Sequence, residues 1–546
     1  KRGLVPTPPT RVVVNHRICE GCGDCGDVSN CLSVQPVDTP LGRKTRIDQA
    51  TCNIDLSCLQ GDCPAFVTVE VDPDHPTAGD GPADPSSIPV PDPPPVDRDI
   101  TTVRLAGIGG TGVVTAAQVL GTAAMLAGLH VDGVDQTGLS QKAGPVVSDV
   151  VITRPGTPRP SNLLGRGTAD VLCAFDLLVA ADDAVSAVGD PDHTLVVAST
   201  TPTPTGAEVV HPDRPGPSPD ELLARLADRS ASCTALDASR LAEALTGTAA
   251  TANILLLGVA VQSGAIGVPP GAVRDALELN GVAVEANIAA FEWGRRHVVD
   301  PGVVAAAARG REPAAPTFTP PPPPRAVTAR VAEMGLDDDL ARLVTGLAAD
   351  LAAYQDTRYA LRYCALVARA AGTGDAALVE TVARNAHHLM AYKDEYEVAR
   401  LLLHDDGMAP AWALAGGRRG RVRWHLHPPL LRRLGLGRKI AVPARTAPLF
   451  RLLAAGRRLR GTPLDPFGRD PVRRLERALV DEYEAAVARV VERLATATPA
   501  ERPDLLVAAR ELVGLPDAVR GFEDLKVRRA TAYRERLADA LARLDA

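Results

Sequence analysis

Hydrophobic and polar positions follow two different periods along the chain, and the change of period divides it. Between Thr101 and Thr200 the apolar residues fall in short runs: TTVRLAGIGG, LHVDGVD, VVSDVVIT, ADVLCAF and HTLVVAST. These read as strands, with helix-like segments such as GVVTAAQVLGTAAMLAG between several of them. Such alternation predicts a mostly parallel sheet covered by helices. From Gly258 to His297 the pattern is helical. Further on, GLAADLAAYQDTRYALRYCALVARA and RRLERALVDEYEAAVARVVERL repeat every 3.6 residues, and no strand signal of comparable strength accompanies them. The uncharged stretch Thr246 to Val273 holds Asn253, Gln262, Ser263 and several glycines, so it predicts a buried helix rather than a membrane span.

Two proline-rich stretches, Asp72 to Asp99 and Glu312 to Arg325, lack periodicity and read as extended linkers, because proline fixes φ and removes a donor. The expected organisation is a small cysteine-rich head (1–72), a linker (73–99), an α/β domain (100–311), a second linker (312–325) and an all-helical C-terminal domain (326–546). The fold class is thus multidomain α/β. Inside the head, VNHRICEGCGDC (Val14 to Cys25) superposes on IDQATCNIDLSC (Ile47 to Cys58) at an offset of 33 residues. Each copy is entered from a β-type run, and PVDTPLGRK between them predicts a hairpin.

Composition sharpens this picture in two places. The net charge of −7 gives no global electrostatic reason to bind nucleic acid. Seven of the ten cysteines lie within the first 63 residues. An odd number at metal-like spacing in a large chain favours a reducing, cytoplasmic compartment over a disulfide scaffold. Cys173, Cys233 and Cys364 sit in apolar surroundings and are expected to be inert buried thiols. The chain begins at Lys1 with no leader-like pattern, so the downstream part of a longer polypeptide is expected.

The first copy reads Cys19-x2-Cys22-x2-Cys25-x5-Cys31, and the second Cys52-x2-Asp55-x2-Cys58-x4-Cys63-Pro64. In two-cluster ferredoxins the remote thiolate of each cubane comes from the other copy. On that wiring Cys19, Cys22, Cys25 and Cys63 hold one 4Fe-4S cluster, and Cys31, Cys52 and Cys58 hold the second with Asp55 at the fourth corner. A carboxylate is a harder ligand than a thiolate. The second site is then an oxygen-ligated four-iron cluster or a 3Fe-4S cluster. Zinc is the alternative metal, but zinc knuckles usually pair their ligands as Cys-x2-Cys units.

Gly107-Ile108-Gly109-Gly110-Thr111-Gly112 follows a predicted strand and opens a helix, a pattern whose amides cradle phosphate, and Asp132 or Asp135 lies where a ribose-binding acid would. The competing reading is a tight strand–helix turn without ligand. In DQTGLSQKAGPVVSDVVI, Gly138, Ser140, Gln141, Lys142 and Gly144 share one loop, a ligand crevice or an ordinary surface loop. The basic run Gly416 to Lys439 reads as a docking face for an acidic partner, or as a solvated or inter-domain surface.

Taken together, CEGCGDCGDVSNC, CNIDLSCLQGDCP, GIGGTGVVTAAQVLG, GLSQKAGP, AYKDEYEVARLL (Ala391 to Leu402), RGTPLDPFG (Arg460 to Gly468) and RGFEDLKV (Arg520 to Val527) resemble the indolepyruvate:ferredoxin oxidoreductase family, in its long fused bacterial form. The resemblance spans essentially the whole chain. It implies an enzyme part acting in the oxidative decarboxylation of arylpyruvates or other 2-oxoacids. Electrons would pass through two iron–sulfur clusters to ferredoxin and the acyl group to coenzyme A. It makes 100–311 a gamma-type domain, and it places thiamine diphosphate and its magnesium on upstream domains or another chain. A homo-oligomer without membrane or nucleic-acid partners is expected, and the resemblance names no catalytic residue here. Two other readings stand beside it: a reductase linked to NAD(P) or flavin, supported by the glycine fingerprint and Asp135, and a non-catalytic electron-transfer adaptor.

Overall fold

The computed structural model describes residues 8–71, 82–85, 89–138, 144–205, 208, 216–311, 317–416, 421–427 and 438–545. The head is built from β1 (Thr10–Val14), the hairpin β2 (Val34–Val37) and β3 (Lys44–Ile47), and β4 (Phe66–Glu70). Strands β1 and β4 pair antiparallel with Val12 opposite Thr68. Val12, Val13, Val14, Ile18, Val34, Phe66 and Val67 form its core, together with Cys19 and Cys58. The hairpin predicted between the two cysteine copies is present.

The middle region carries β5 (Ile100–Ile108), β6 (His130–Thr137), β7 (Pro145–Thr153), β8 (Val171–Ala174), β9 (Leu195–Ser199) and β10 (Ser232–Leu236). The sheet order is β10-β9-β8-β5-β7-β6. The first four strands run parallel, and β7 is antiparallel to both β5 and β6. The sheet is therefore mixed, and one buried ion pair pins the reversed strand. Arg104 on β5 lies directly opposite Asp149 on β7, and its Nε and a terminal nitrogen each donate to the carboxylate at 2.7 Å. A one-residue slip would separate the two charges and bury each alone.

The helix Ala252–Gln262 is buried along its whole length, as the uncharged stretch predicts. It crosses the helix Val284–Val299 at backbone distance: a Cβ on Gly258 would lie 2.2 Å from the Phe291 carbonyl oxygen, and one on Gly294 would lie 1.9 Å from that of Leu255. Cys173 is buried, whereas Cys233 is exposed, which corrects the expectation of three buried thiols. Its strand, β10, forms the edge of the sheet.

The C-terminal region is helical, with one departure. Strands β11 (Val422–Leu426) and β12 (Ile440–Pro443) lie within it and extend the head's sheet, in the order β1-β4-β11-β12, every pair antiparallel. Trp424 sits opposite Val67, packs edge-on against Phe450 at 4.7 Å and is 1% exposed. The expectation of an all-helical region is corrected here: RVRWHL becomes a strand only because β4 offers an unpaired edge. Among the described residues, no helix is long and apolar enough to cross a membrane.

Candidate functional site

The ten cysteines are all free. Seven of them gather in and around the core of the head. The thiols acting on Cys63 are Cys19 and Cys22, and those acting on Cys25 are led by the same two. Cys52 and Cys58 feel Cys31 and Asp55. The pairing of Val14 with Phe66 brings the end of β1 that leads to Cys19 beside the start of β4 that follows Cys63. Burial pushes Cys22 to about 11 and Cys58 to about 12, and it raises Cys25, Cys52 and Cys63 as well. These thiols are neutral at ordinary pH until a metal displaces their protons.

The backbone repeats with the sequence. Gly21 and Gly23 have φ of 64° and 79°, and their counterparts 33 residues later, Ile54 and Leu56, both have φ of 60°. A β-branched residue held in the left-handed region is strained, and persists only where its surroundings dictate the turn. Asp55, between them, is exposed, and it accepts from the Ser57 backbone N–H at 3.0 Å and from the Ser57 hydroxyl at 2.7 Å. Among the described residues, no three His, Cys, Asp or Glu side chains close on a point as the ligands of a single metal ion. A four-iron cluster is a wider body than one ion, so its thiolates stand further apart. Seven free thiols, Cys19, Cys22 and Cys58 buried and the other four partly buried, are a soft donor set of the kind that such clusters use.

The C-terminal region grips the first cysteine loop. Arg520 donates to the Glu20 carbonyl at 2.7 Å, and Arg529 to that of Cys22 at 2.8 Å. A Cβ on Gly21 would lie 2.2 Å from the Arg43 carbonyl oxygen, so the loop has no room for a larger residue. Below it runs a buried charge network that the linear sequence does not reveal. Asp350 accepts from Arg17 and Arg400 at 2.9 Å each and lies 3.1 Å from His387. Burial works against the Asp350 charge, but Arg400, His387 and Arg17 outweigh it and hold the carboxyl well below the usual range. The AYKDEYEVARLL and RGTPLDPFG signatures meet in the same network, where Arg460 grips Asp394 through two bonds of 2.6 and 2.7 Å. Phe318, from the second proline-rich stretch, covers Arg17 at 4.8 Å. Of the two signatures, AYKDEYEVARLL braces the C-terminal region against the head, through Arg400 at Asp350 and through the Leu401 carbonyl, which accepts from Asn15 at 3.1 Å.

Burial lowers His388 to about 4, beside Glu20, whose carboxylate is held at about 2 mainly by Lys526 against the cost of burial. A folded-state value below the unfolded 6.5 means that the unfolded chain takes up the proton first as pH falls. The stability contributed by neutral His388 is complete above 6.5 and lost between 6.5 and about 4. The expected loss is on the order of 1–3 kcal/mol, read as a falling denaturant midpoint across that window. His388→Gln should flatten the slope, and an unchanged slope would show that His388 does not contribute to it.

The glycine loop has a tight internal structure. The Gly109 N–H donates to the Gly144 carbonyl at 2.8 Å, the Thr111 hydroxyl donates to Ile108 at 2.7 Å, and Asn253 donates to Thr111 at 3.1 Å. Gly110 and Gly112 have φ of 92° and 99°, and a Cβ on Gly107 would press on Val113 at 3.0 Å. Close packing at Gly107 and Gly109 and the positive φ of Gly110 and Gly112 each call for glycine, whether or not a ligand binds. Asp132 is paired with exposed Arg159, and Asp135 accepts from Ser148 at 2.5 Å. Both sit on β6, which is separated from β5 by the antiparallel β7, whereas a dinucleotide fold sets its acidic strand beside the first. This arrangement counts against the NAD(P)-linked reading. Gly138 and Gly144 flank the second loop, with Gly138 N–H donating to Pro145 at 3.1 Å; Ser140, Gln141 and Lys142 lie outside the described residues.

The family described as "Pyruvate ferredoxin/flavodoxin oxidoreductase" matches residues 102–297, and a "Family of unknown function (DUF6537)" matches residues 340–539. Indolepyruvate oxidoreductase subunit IorB of Pyrococcus horikoshii is 30% identical over 200 residues, covering 35% of this chain and 93% of that subunit. The chain belongs to the 2-oxoacid:ferredoxin oxidoreductase family. Within the family, the IorB subunit of Thermococcus kodakarensis is 36% identical over 74 residues, 14% of this chain and 35% of that subunit. Among solved structures, subunit PORC of pyruvate oxidoreductase from Thermotoga maritima is 18% identical with a TM-score of 0.28, over 36% of this chain and 97% of that one. The gamma subunit of the keto/oxoacid ferredoxin oxidoreductase of Geobacter sulfurreducens is 21% identical with a TM-score of 0.26, over 36% and 98%. Family membership carries a general oxidoreductase role.

Proposed function

We propose that this chain carries electrons within a 2-oxoacid:ferredoxin oxidoreductase of the indolepyruvate or arylpyruvate type. In this reading Cys19, Cys22, Cys25 and Cys63 hold one four-iron cluster. Cys31, Cys52 and Cys58 hold the other, with Asp55 as an oxygen ligand or with that corner left empty. When bound, such clusters accept and release single electrons. The chain's own part is to release the thiol protons, to keep water from the sulfurs with Ile18, Val34 and Phe66, and to fix the first loop through Arg520 and Arg529. Thiamine diphosphate, magnesium and the decarboxylation of the 2-oxoacid are assigned to upstream domains or another chain. Residues 100–311 act as the gamma-type domain, where the loop carrying Ser140, Gln141 and Lys142 meets coenzyme A, and ferredoxin takes the electrons.

The observation that carries this reading is the repeated arrangement of free thiols in the head, each copy around a turn of the same left-handed shape. The test is anaerobic purification. The protein should be brown, with about eight irons if both sites are cubanes or about seven if one corner is empty. Asp55→Cys should convert the second site's electron paramagnetic resonance (EPR) spectrum to that of an all-thiolate cubane. An unchanged spectrum would show that Asp55 is not a ligand, and colourless protein holding only zinc would remove the cluster reading.

A further inference from the structure

Lys439 ends the basic run and stands immediately before β12. Its ammonium nitrogen is buried and has no hydrogen-bond partner among the described residues. It lies 5.1 Å from the centre of the Phe66 ring, two residues past Pro64 on the strand that leaves Cys63. Burial works against its charge, and Cys63, Asp62, Cys58 and Asp24 around it work in favour. His427 satisfies Asp62 at 2.7 Å, so that carboxylate is shared.

A buried ammonium is costly unless it faces negative charge. A cluster held by four thiolates is an anion, and it gains a further negative charge on reduction. A fixed cation near the cluster, in a medium of low dielectric constant, stabilises the reduced form more than the oxidised one.

We propose that Lys439 is a positioning residue that raises the reduction potential of the cluster held by Cys19, Cys22, Cys25 and Cys63, and that the C-terminal region extends the head's sheet in order to deliver this charge. The inference rests on the cluster reading above. It gives the region matched by the family of unknown function an electrostatic part in electron transfer beyond bracing. The step is the entry of one electron into the cluster, with no bond made or broken and the lysine proton retained.

The experiment is a redox titration of the full-length, cluster-loaded protein followed by EPR, with iron and sulfide measured in each variant. Lys439→Gln should shift the oxidised-to-reduced ratio of the first cluster at a fixed potential by about tenfold towards oxidised, ~59 mV for a one-electron couple. The second cluster should move less. Lys439→Arg should titrate like the unmodified protein. Lys439→Met keeps much of the stem without the charge and should behave like Lys439→Gln. Loss of the first cluster from the Gln and Met variants, with retention in Arg, would also support a requirement for the charge. An unchanged potential in Lys439→Gln with full iron content overturns the role of Lys439 and leaves the cluster reading intact. Loss of the cluster from all three variants overturns it in favour of a packing role. Absence of iron and sulfide from the unmodified protein overturns the cluster reading itself, and this inference with it.

Discussion

Cys63→Ala protein is expected to lose about four irons, and the cluster it loses is the one on the first copy rather than the one on its own. Cys63 follows Cys58 closely in the chain, and a local wiring would couple those two. In the fold, the antiparallel pairing of Val14 with Phe66 instead brings the strand that leads to Cys19 beside the strand that follows Cys63. The EPR signal of the second cluster should survive, and the all-thiolate signal should vanish. The reverse pattern, with the Cys52 and Cys58 site emptied, would refute the crossed wiring. So would full iron content.

Asp350→Ala should be the most destabilising single change in the junction between head and C-terminal region. The substitution leaves Arg17, 2% exposed, without its closest carboxylate, and Arg400 without one of its two. Removing one partner of a buried ion pair costs about 3–5 kcal/mol, because the remaining charge stays buried. The measurement is the denaturant midpoint, with an unchanged slope as the sign that the folded state is otherwise retained. Asp339→Ala is the control. Its pair with Arg342 is almost fully exposed and should be worth no more than about 1 kcal/mol. A loss at Asp350 no larger than at Asp339 would mean that water reaches the network and that the junction is not held electrostatically. Because Arg17 leads directly into the Cys19 loop, Asp350→Ala should also slow cluster assembly.

The elements differ in how legible they were. The cysteine copies, their hairpin and the strands β5 to β9 are visible because their signals are local: a ligand spacing, a turn, a short apolar run. The reversal of β7 was not visible, since VVSDVVIT reads the same in either direction and Arg104 and Asp149 find each other only across the sheet. The strand character of RVRWHL was hidden by its basic flanks, and Ile54 and Leu56 gave no hint that they would adopt a conformation suited to glycine. The basic run reads as a docking face, or as a solvated or inter-domain surface, and the contacts of its described part fit the last of these. Arg423 meets Glu70 at 3.3 Å and His425 lies 2.9 Å from the Thr68 hydroxyl, so this described part of the run faces the head.

By itself the sequence determined the chemistry this protein can hold: which sulfurs exist, how they are spaced, and that a helical region follows an α/β one. Those properties arise between near neighbours in the chain, where covalent geometry limits the outcome. The tertiary structure alone decided which residues share an environment. Thr68 meets His425 across 357 positions, and Arg17 meets Asp350 across 333. Contacts at that separation depend on sheet edges and buried charges finding partners, and pairing of that kind leaves no periodic trace in the sequence.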